Sequence, residues 1–165
     1  WVREAGSALS GNNNTSATPE LLVAISALST NLGAADVTEV EWITTAADKS
    51  EGFTLSVRVR YNEAVAVTGS PTLAVTNGNQ GSGSGRGPHT LVYASGTGTN
   101  ELVFSLAIAA NNAATNANDV LTIGAQNIAK PGGATMKDAT GTASDAAVAI
   151  SSDQGTAAGG ITVTA

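Results

Sequence analysis

Few side chains in this sequence could do chemistry. The one histidine, His89, follows Pro88 at the end of the run Gln80-Gly81-Ser82-Gly83-Ser84-Gly85-Arg86-Gly87, and there is no cysteine. Nucleophilic catalysis needs a base within reach of the nucleophile, and histidine is the usual one. A lone His beside a Gly/Ser run reads instead as an exposed or structurally satisfied side chain. One His without Cys excludes a transition-metal site of ordinary ligand type within a single chain. Paired carboxylates could serve glycoside hydrolysis, but the acids are scattered. Glu39 and Glu41 alternate along one strand face, and Asp138 and Asp145 flank a turn. Asp138, Asp145 and neighbouring carbonyls are a group that could hold calcium, which takes oxygen ligands; solvated charge is the default for each. The glycine-rich run is not a phosphate loop, because neither Lys-Ser/Thr nor a helix start follows it. The expectation is a protein that is not an enzyme, with no catalytic residue, no cofactor and no metal.

Composition narrows the partners. The chain has 165 residues, enough for one domain with an extension. At that size roughly 70% of the unfolded surface can be buried, so neither disulfide nor metal is required for folding. Seven basic residues stand against 13 acidic ones, a net charge of −6. The four arginines, Arg3, Arg58, Arg60 and Arg86, make no basic stripe, which disfavours nucleic acid and anionic membrane surfaces. Alternation places Arg58 and Arg60 on one solvent face of a strand. Charged residues are only 12%, so the polar surface must come from Thr, Ser, Asn and backbone. No apolar run reaches the ~20 residues of a membrane-spanning helix. The start at Trp1 is not a signal peptide, and it fits a processed or trimmed piece of a longer chain.

The elements that must position these residues are mostly strands. Residues 1–17 are small and polar and read as an arm. Thr18-Pro19-Glu20 has the form of a helix start: a capping hydroxyl, a first-turn Pro and an acid near the positive dipole end. Leu21, Leu22, Ile25 and Leu28 follow at helical spacing, and Asn31-Leu32-Gly33 supplies a stop, so a helix is expected over 19–30. Its apolar stripe must pack on the chain's own sandwich or on a neighbouring subunit. Strands are expected over 37–44, with Trp42 in the core, and over 53–61, where nine residues alternate from Phe53 to Tyr61. Further strands are expected over 65–67, 72–75, 89–94, 101–109, 120–123, 126–128 and 146–150. Asn77-Gly78 is a turn signal. A last strand over 161–164 could leave the body of the domain. About eight strands with frequent turns argue for a sandwich.

Three phrases in this stretch resemble a known family. They are Tyr61-Asn62-Glu63-Ala64-Val65, Thr68-Gly69-Ser70-Pro71-Thr72-Leu73, and Tyr93-Ala94-Ser95-Gly96-Thr97-Gly98-Thr99-Asn100, the last running on to Phe104. Together they resemble bacterial and phage immunoglobulin-like β-sandwich domains over roughly residues 50 to 150. Ala64 stands where that family usually has Pro, and Asp138-Ala139-Thr140-Gly141-Thr142 only approximates its closing motif. The region 111–119 holds one acid, Asp119, where members often carry an Asp-rich turn, a departure that weakens the case for an inherited calcium site.

The resemblance implies an all-β, immunoglobulin-like antiparallel sandwich and a role in surface or virion assemblies. The expected organisation is an N-terminal arm and one short helix over 1–36, making assembly contacts, and the sandwich over 37–165. The expected function is a structural protein of a phage virion, a capsid decoration or cement protein present in many copies at the virion surface. The alternative is a repeat domain of a bacterial surface adhesin or extracellular filament; a carbohydrate-binding module ranks last, because aromatics are only 4%. Partner contacts are expected from Trp1, Val2, Leu21, Leu22, Ile25 and Leu28, with other virion or surface proteins rather than nucleic acid or membrane.

Overall fold

The computed structural model describes residues 2–3, 20–21, 33–78, 88–140 and 144–165. Contacts divide the chain into two compact units, Trp1–Thr30 and Asn31–Ala165. In the first, strands β1 (Val2–Arg3) and β2 (Glu20–Leu21) pair antiparallel, with Val2 opposite Leu21 and Arg3 opposite Glu20. The helix expected over 19–30 is therefore corrected at its first turn. Capping chemistry favours a helix locally, but cross-strand pairing with a distant segment takes Glu20 and Leu21 into a ladder. Residues 22–30 lie outside the described residues.

The second unit is all-β. Its strands are β3 (Val37–Trp42), β4 (Ala47–Asp48), β5 (Phe53–Thr68), β6 (Thr72–Gly78), β7 (His89–Ser95), β8 (Thr99–Ile108), β9 (Val120–Thr122), β10 (Gln126–Asn127), β11 (Thr135–Asp138), β12 (Ala149–Ile150) and β13 (Gly160–Thr164). The helix α1 (Ser152–Ala157) precedes β13. Nine strands join in the order β11-β5-β8-β7-β6-β9-β13-β4, with β3 also on β5. β10 and β12 form a separate pair. Only residues 43–46 separate β3 from β4, so the chain itself ties opposite ends of the order together and the sheet curls.

β5 organises the body. Alternation buries Leu55, Val57, Val59, Tyr61 and Val65 and turns Thr54, Ser56, Arg58 and Arg60 outward. Across the ladder Val57 meets Phe104 and Val59 meets Leu102, while Leu73 meets Leu91 between β6 and β7. Leu121, Ile123, Ile128, Met136, Ile150 and Val163 complete the core. Each such side chain contributes about 1.5–3 kcal/mol by leaving water. Phe104 also meets Tyr93 edge-on, with ring centroids 6.0 Å apart. Trp42 is half-buried and packs against this core.

β5 runs as one strand where the sequence suggests two. Its register with β8 slips between Arg60 and Val65, so residues 61–64 bulge. The first half of β5 carries β3 and the second half carries β11, opposite Val65 to Thr68. The β7–β8 turn is tight. Gly96 has φ 110°, and a side chain there would collide with the Glu101 carbonyl oxygen.

Three expectations are corrected in this unit. The sheet is mixed rather than wholly antiparallel, because β13 runs parallel to β4, with Val163 opposite Ala47. The orientation of β13 is set by its antiparallel partner β9, and no hairpin links it to β4, so nothing forces an antiparallel match. β13 does not leave the body; Val163 is buried in it. Asn77 and Gly78 do not turn but extend β6 along β9.

Candidate functional site

The outward face of β3, β5 and β8 carries a charge ladder. Register sets Glu41 opposite Arg58, and Glu39 and Glu101 on either side of Arg60. Arg58 Nη1 lies 2.9 Å from Glu41 Oε1. Arg60 reaches Glu39 at 3.2 Å, Glu41 at 3.1 Å and Glu101 at 3.2 Å. Both arginines are thus neutralised by three acids, and the face has no positive charge left for a phosphate. These side chains are about a third to a half exposed, so each pair stabilises by only about 0.5 kcal/mol.

Beside this ladder α1 packs along β3. Its start is a capping box: Gln154 N–H donates to Ser151 Oγ at 3.2 Å, and Ser151 N–H to Gln154 Oε1 at 2.8 Å. Gln154 Nε2 then donates to the Val37 carbonyl at 2.7 Å, and Trp42 Nε1 to the Gly159 carbonyl at 3.3 Å. Between helix and strand lies a groove of about 360 Å³ lined by Val40, Ala157 and Ala158 with Glu39, Glu41 and Asp153. It holds no nucleophile with a base in reach. Its chemistry is that of a binding surface, acidic with an apolar part.

Of the two alternatives expected for His89, exposed or structurally satisfied, the structure shows the second: it is buried and hydrogen-bonded. It opens β7 opposite Val75, and its Nε2 lies 3.0 Å from Thr115 Oγ1. A hydroxyl beside an imidazole is the geometry of an activated nucleophile. Yet Thr115 is 1% exposed and His89 6%, so no substrate can reach the pair. The contact instead anchors the segment between β8 and β9. Asn77 Nδ2 bonds the Ala114 carbonyl at 2.5 Å, and Asn116 N–H bonds Asp119 Oδ2 at 2.8 Å. Burial pulls the His89 pKa below its ordinary value, and the Asp119 charge opposes that pull.

The two acids considered for calcium part ways. Lys137 Nζ holds Asp145 Oδ1 at 2.9 Å on the exposed side, and this lysine keeps the Asp145 carboxyl below its usual range. Asp138 is buried and receives the hydroxyl and the N–H of Thr140 on Oδ1, at 2.7 and 2.6 Å, which lower its pKa. The neighbour of Asp138 is Glu63, whose Oε2 lies 3.1 Å from the same hydroxyl. Among the described residues no three His, Cys, Asp or Glu side chains converge as metal ligands.

Of the residues expected to contact partners, the structure brings Val2 and Leu21 opposite one another in the β1–β2 ladder. Trp1, Leu22, Ile25 and Leu28 lie outside the described residues. Sequence reasoning missed α1 and its groove, although Ser151-Ser152-Asp153-Gln154 carries the capping-box pattern. It also missed Glu63 as the partner of Asp138.

The second unit defines the protein as an all-β domain built on a curled, mixed sheet. Comparison with protein-family models, curated proteins and solved structures gave no match.

Proposed function

We propose that this chain is a non-enzymatic structural protein of a phage virion, a capsid decoration or cement protein that displays an immunoglobulin-like sandwich at the particle surface. The observation that carries this reading is the partition of the chain. A 30-residue N-terminal unit is compact by itself, and a β body of residues 31–165 follows. Such a division suits a protein that docks with one part and presents the other. The sandwich reading draws on the long bent strand β5, which leaves β3 for β11 at its bulge, and on the consecutive antiparallel run β6-β7-β8. The polar groups best placed for chemistry are engaged in holding the body together: His89 with Thr115, and Arg58 and Arg60 with three acids.

Docking would be driven by burial of apolar side chains of the N-terminal unit, Leu22 and Ile25 among them, against the shell or neighbouring copies. The test is the full chain carrying Leu22→Asp with Ile25→Asp, co-sedimented with native particles. The expected outcome is an unchanged β-type circular dichroism spectrum with binding abolished. Binding equal to wild type, or global unfolding, contradicts the docking role of this unit.

A further inference from the structure

Strand β3 has an edge that no strand covers. Among the described residues it pairs only with β5. Ile43 N–H donates to the Ser56 carbonyl at 2.9 Å, so alternation turns the backbone groups of Glu41 and Glu39 towards β5 and those of Val40 and Trp42 away from it. Beyond the bulge between Val37 and Glu39, the Val37 carbonyl also faces outward, and it takes the Gln154 side-chain amide of α1 at 2.7 Å. Val40 has no such partner: among the described residues no hydrogen bond from another element reaches its outward N–H or C=O. It is 2% exposed, its side chain belongs to the core, and it lines the groove between β3 and α1. What it presents to the groove is therefore an unpaired peptide edge. Shielded, unpaired backbone groups are rare, because each has lost water without gaining a partner.

The groove suits an extended chain. Gln154 on the Val37 carbonyl marks one end, and Trp42 Nε1 on the Gly159 carbonyl marks the other. Between them β3 covers about 17 Å at strand rise, room for three or four paired residues. Glu39, Glu41 and Asp153 line it and no basic residue does. Glu39 and Glu41 are already held by Arg58 and Arg60, so the attraction comes from the remainder: with Glu101 the ladder has three acids for two arginines, and Asp153 adds another. A strand edge faced by a helix is an arrangement in which extended peptides add a further strand. We propose that this edge captures an extended, lysine- or arginine-bearing segment of a partner protein by strand addition. The segment's N–H and C=O pair with those of Val40. Its alternate side chains point two ways: apolar ones onto Ala157 and Ala158, basic ones beside Glu39, Glu41 and Asp153. This inference concerns the β body and is independent of the docking proposed for residues 1–30.

The test uses the full chain and a fluorescein-labelled peptide of alternating lysine and valine, read by anisotropy. Saturable binding is expected, and the matching glutamate–valine peptide is expected to bind at least about tenfold more weakly. N-methylation of every second residue removes the N–H groups along one edge of the peptide. Methylating one set is expected to abolish binding and methylating the other to preserve it, a difference that charge attraction alone does not produce. Ala157→Arg, at an exposed position of α1, is expected to weaken binding at least about tenfold with an unchanged circular dichroism spectrum. Thr90→Arg, exposed on β7, makes the same change in net charge and is expected to bind as wild type. In nitrogen-15 spectra of the wild-type chain the Val40 amide is expected to shift on binding. No saturable binding up to about 1 mM peptide, equal effects of the two methylation patterns, or wild-type binding by Ala157→Arg would overturn the proposal.

Discussion

Replacing Gly155 by alanine sets two effects against each other, and the structure decides between them. In an isolated helix the change stabilises by about 1 kcal/mol, because glycine is a poor helix former. Gly155, however, is the buried residue of α1 and lies against the backbone after β9. A Cβ there would collide with the Ile123 carbonyl oxygen and come within 3.1 Å of the Gly124 carbonyl carbon. Both obstacles are backbone, which cannot swing aside as a side-chain tip can. Overpacking of this kind costs about 1–3 kcal/mol, and the upper part of that range applies when backbone must shift. The net expectation is a loss of about 1–2 kcal/mol, or roughly 3–8 °C in melting temperature for a body of this size. Urea unfolding followed by circular dichroism reads it as a lower midpoint at unchanged slope. The bonds from Gln154 to Val37 and from Trp42 to Gly159 should weaken with it, since both depend on where α1 sits. A gain in stability would show that helix propensity dominates and that α1 does not pack on residues 123 and 124, removing the groove along β3 as well.

Other perturbations test other parts of the account. His89 has its folded pKa lowered mainly by burial, so between that value and its ordinary value near 6.5 the unfolded chain binds more protons. Its stabilising effect is fully present above about pH 6.5 and is lost on acidification. Thermal melts of wild type should fall on acidification below about pH 6.5, and those of His89→Gln should be flatter there. Asp48, Asp138 and Asp145 act lower, since their folded pKa values lie below the ordinary 3.8; their contribution is present above that pH and lost as acid is added. Phe104→Ala should destabilise by about 3–5 kcal/mol, with the edge-on contact to Tyr93 adding to the loss. A urea midpoint shift equivalent to under about 1 kcal/mol would deny Phe104 its place at the centre of the core.

What could be read in the sequence was what short-range pattern encodes. Phe53 to Tyr61 alternates without a break, and the strand there is as expected. The alternation fails at Asn62-Glu63-Ala64, which reads as an end but is a bulge; pairing of the second half with β11 is a long-range fact that no local window contains. Asn77-Gly78 has turn chemistry, yet pairing with β9 and the bond from Asn77 to Ala114 keep it extended. α1 escaped because its buried residue is a glycine, so it has no apolar stripe to reveal it. Glu20 and Leu21 went the other way: good helix-start residues held in a ladder by Val2 and Arg3. For His89 the sequence left exposed and structurally satisfied open, because its neighbours are glycine, serine and proline and Thr115, which holds it, is 26 residues away. The Glu63–Asp138 pair was hidden for the same reason. Its members lie on β5 and β11 and meet only through the bulge.

The most direct measurement is an image of the native particle at a resolution that places this chain. The account predicts many copies at regular positions on the shell, with residues 1–30 against it and the β body projecting outward. Absence of the chain from particles, with tandem copies displayed on a bacterial cell surface instead, would contradict it.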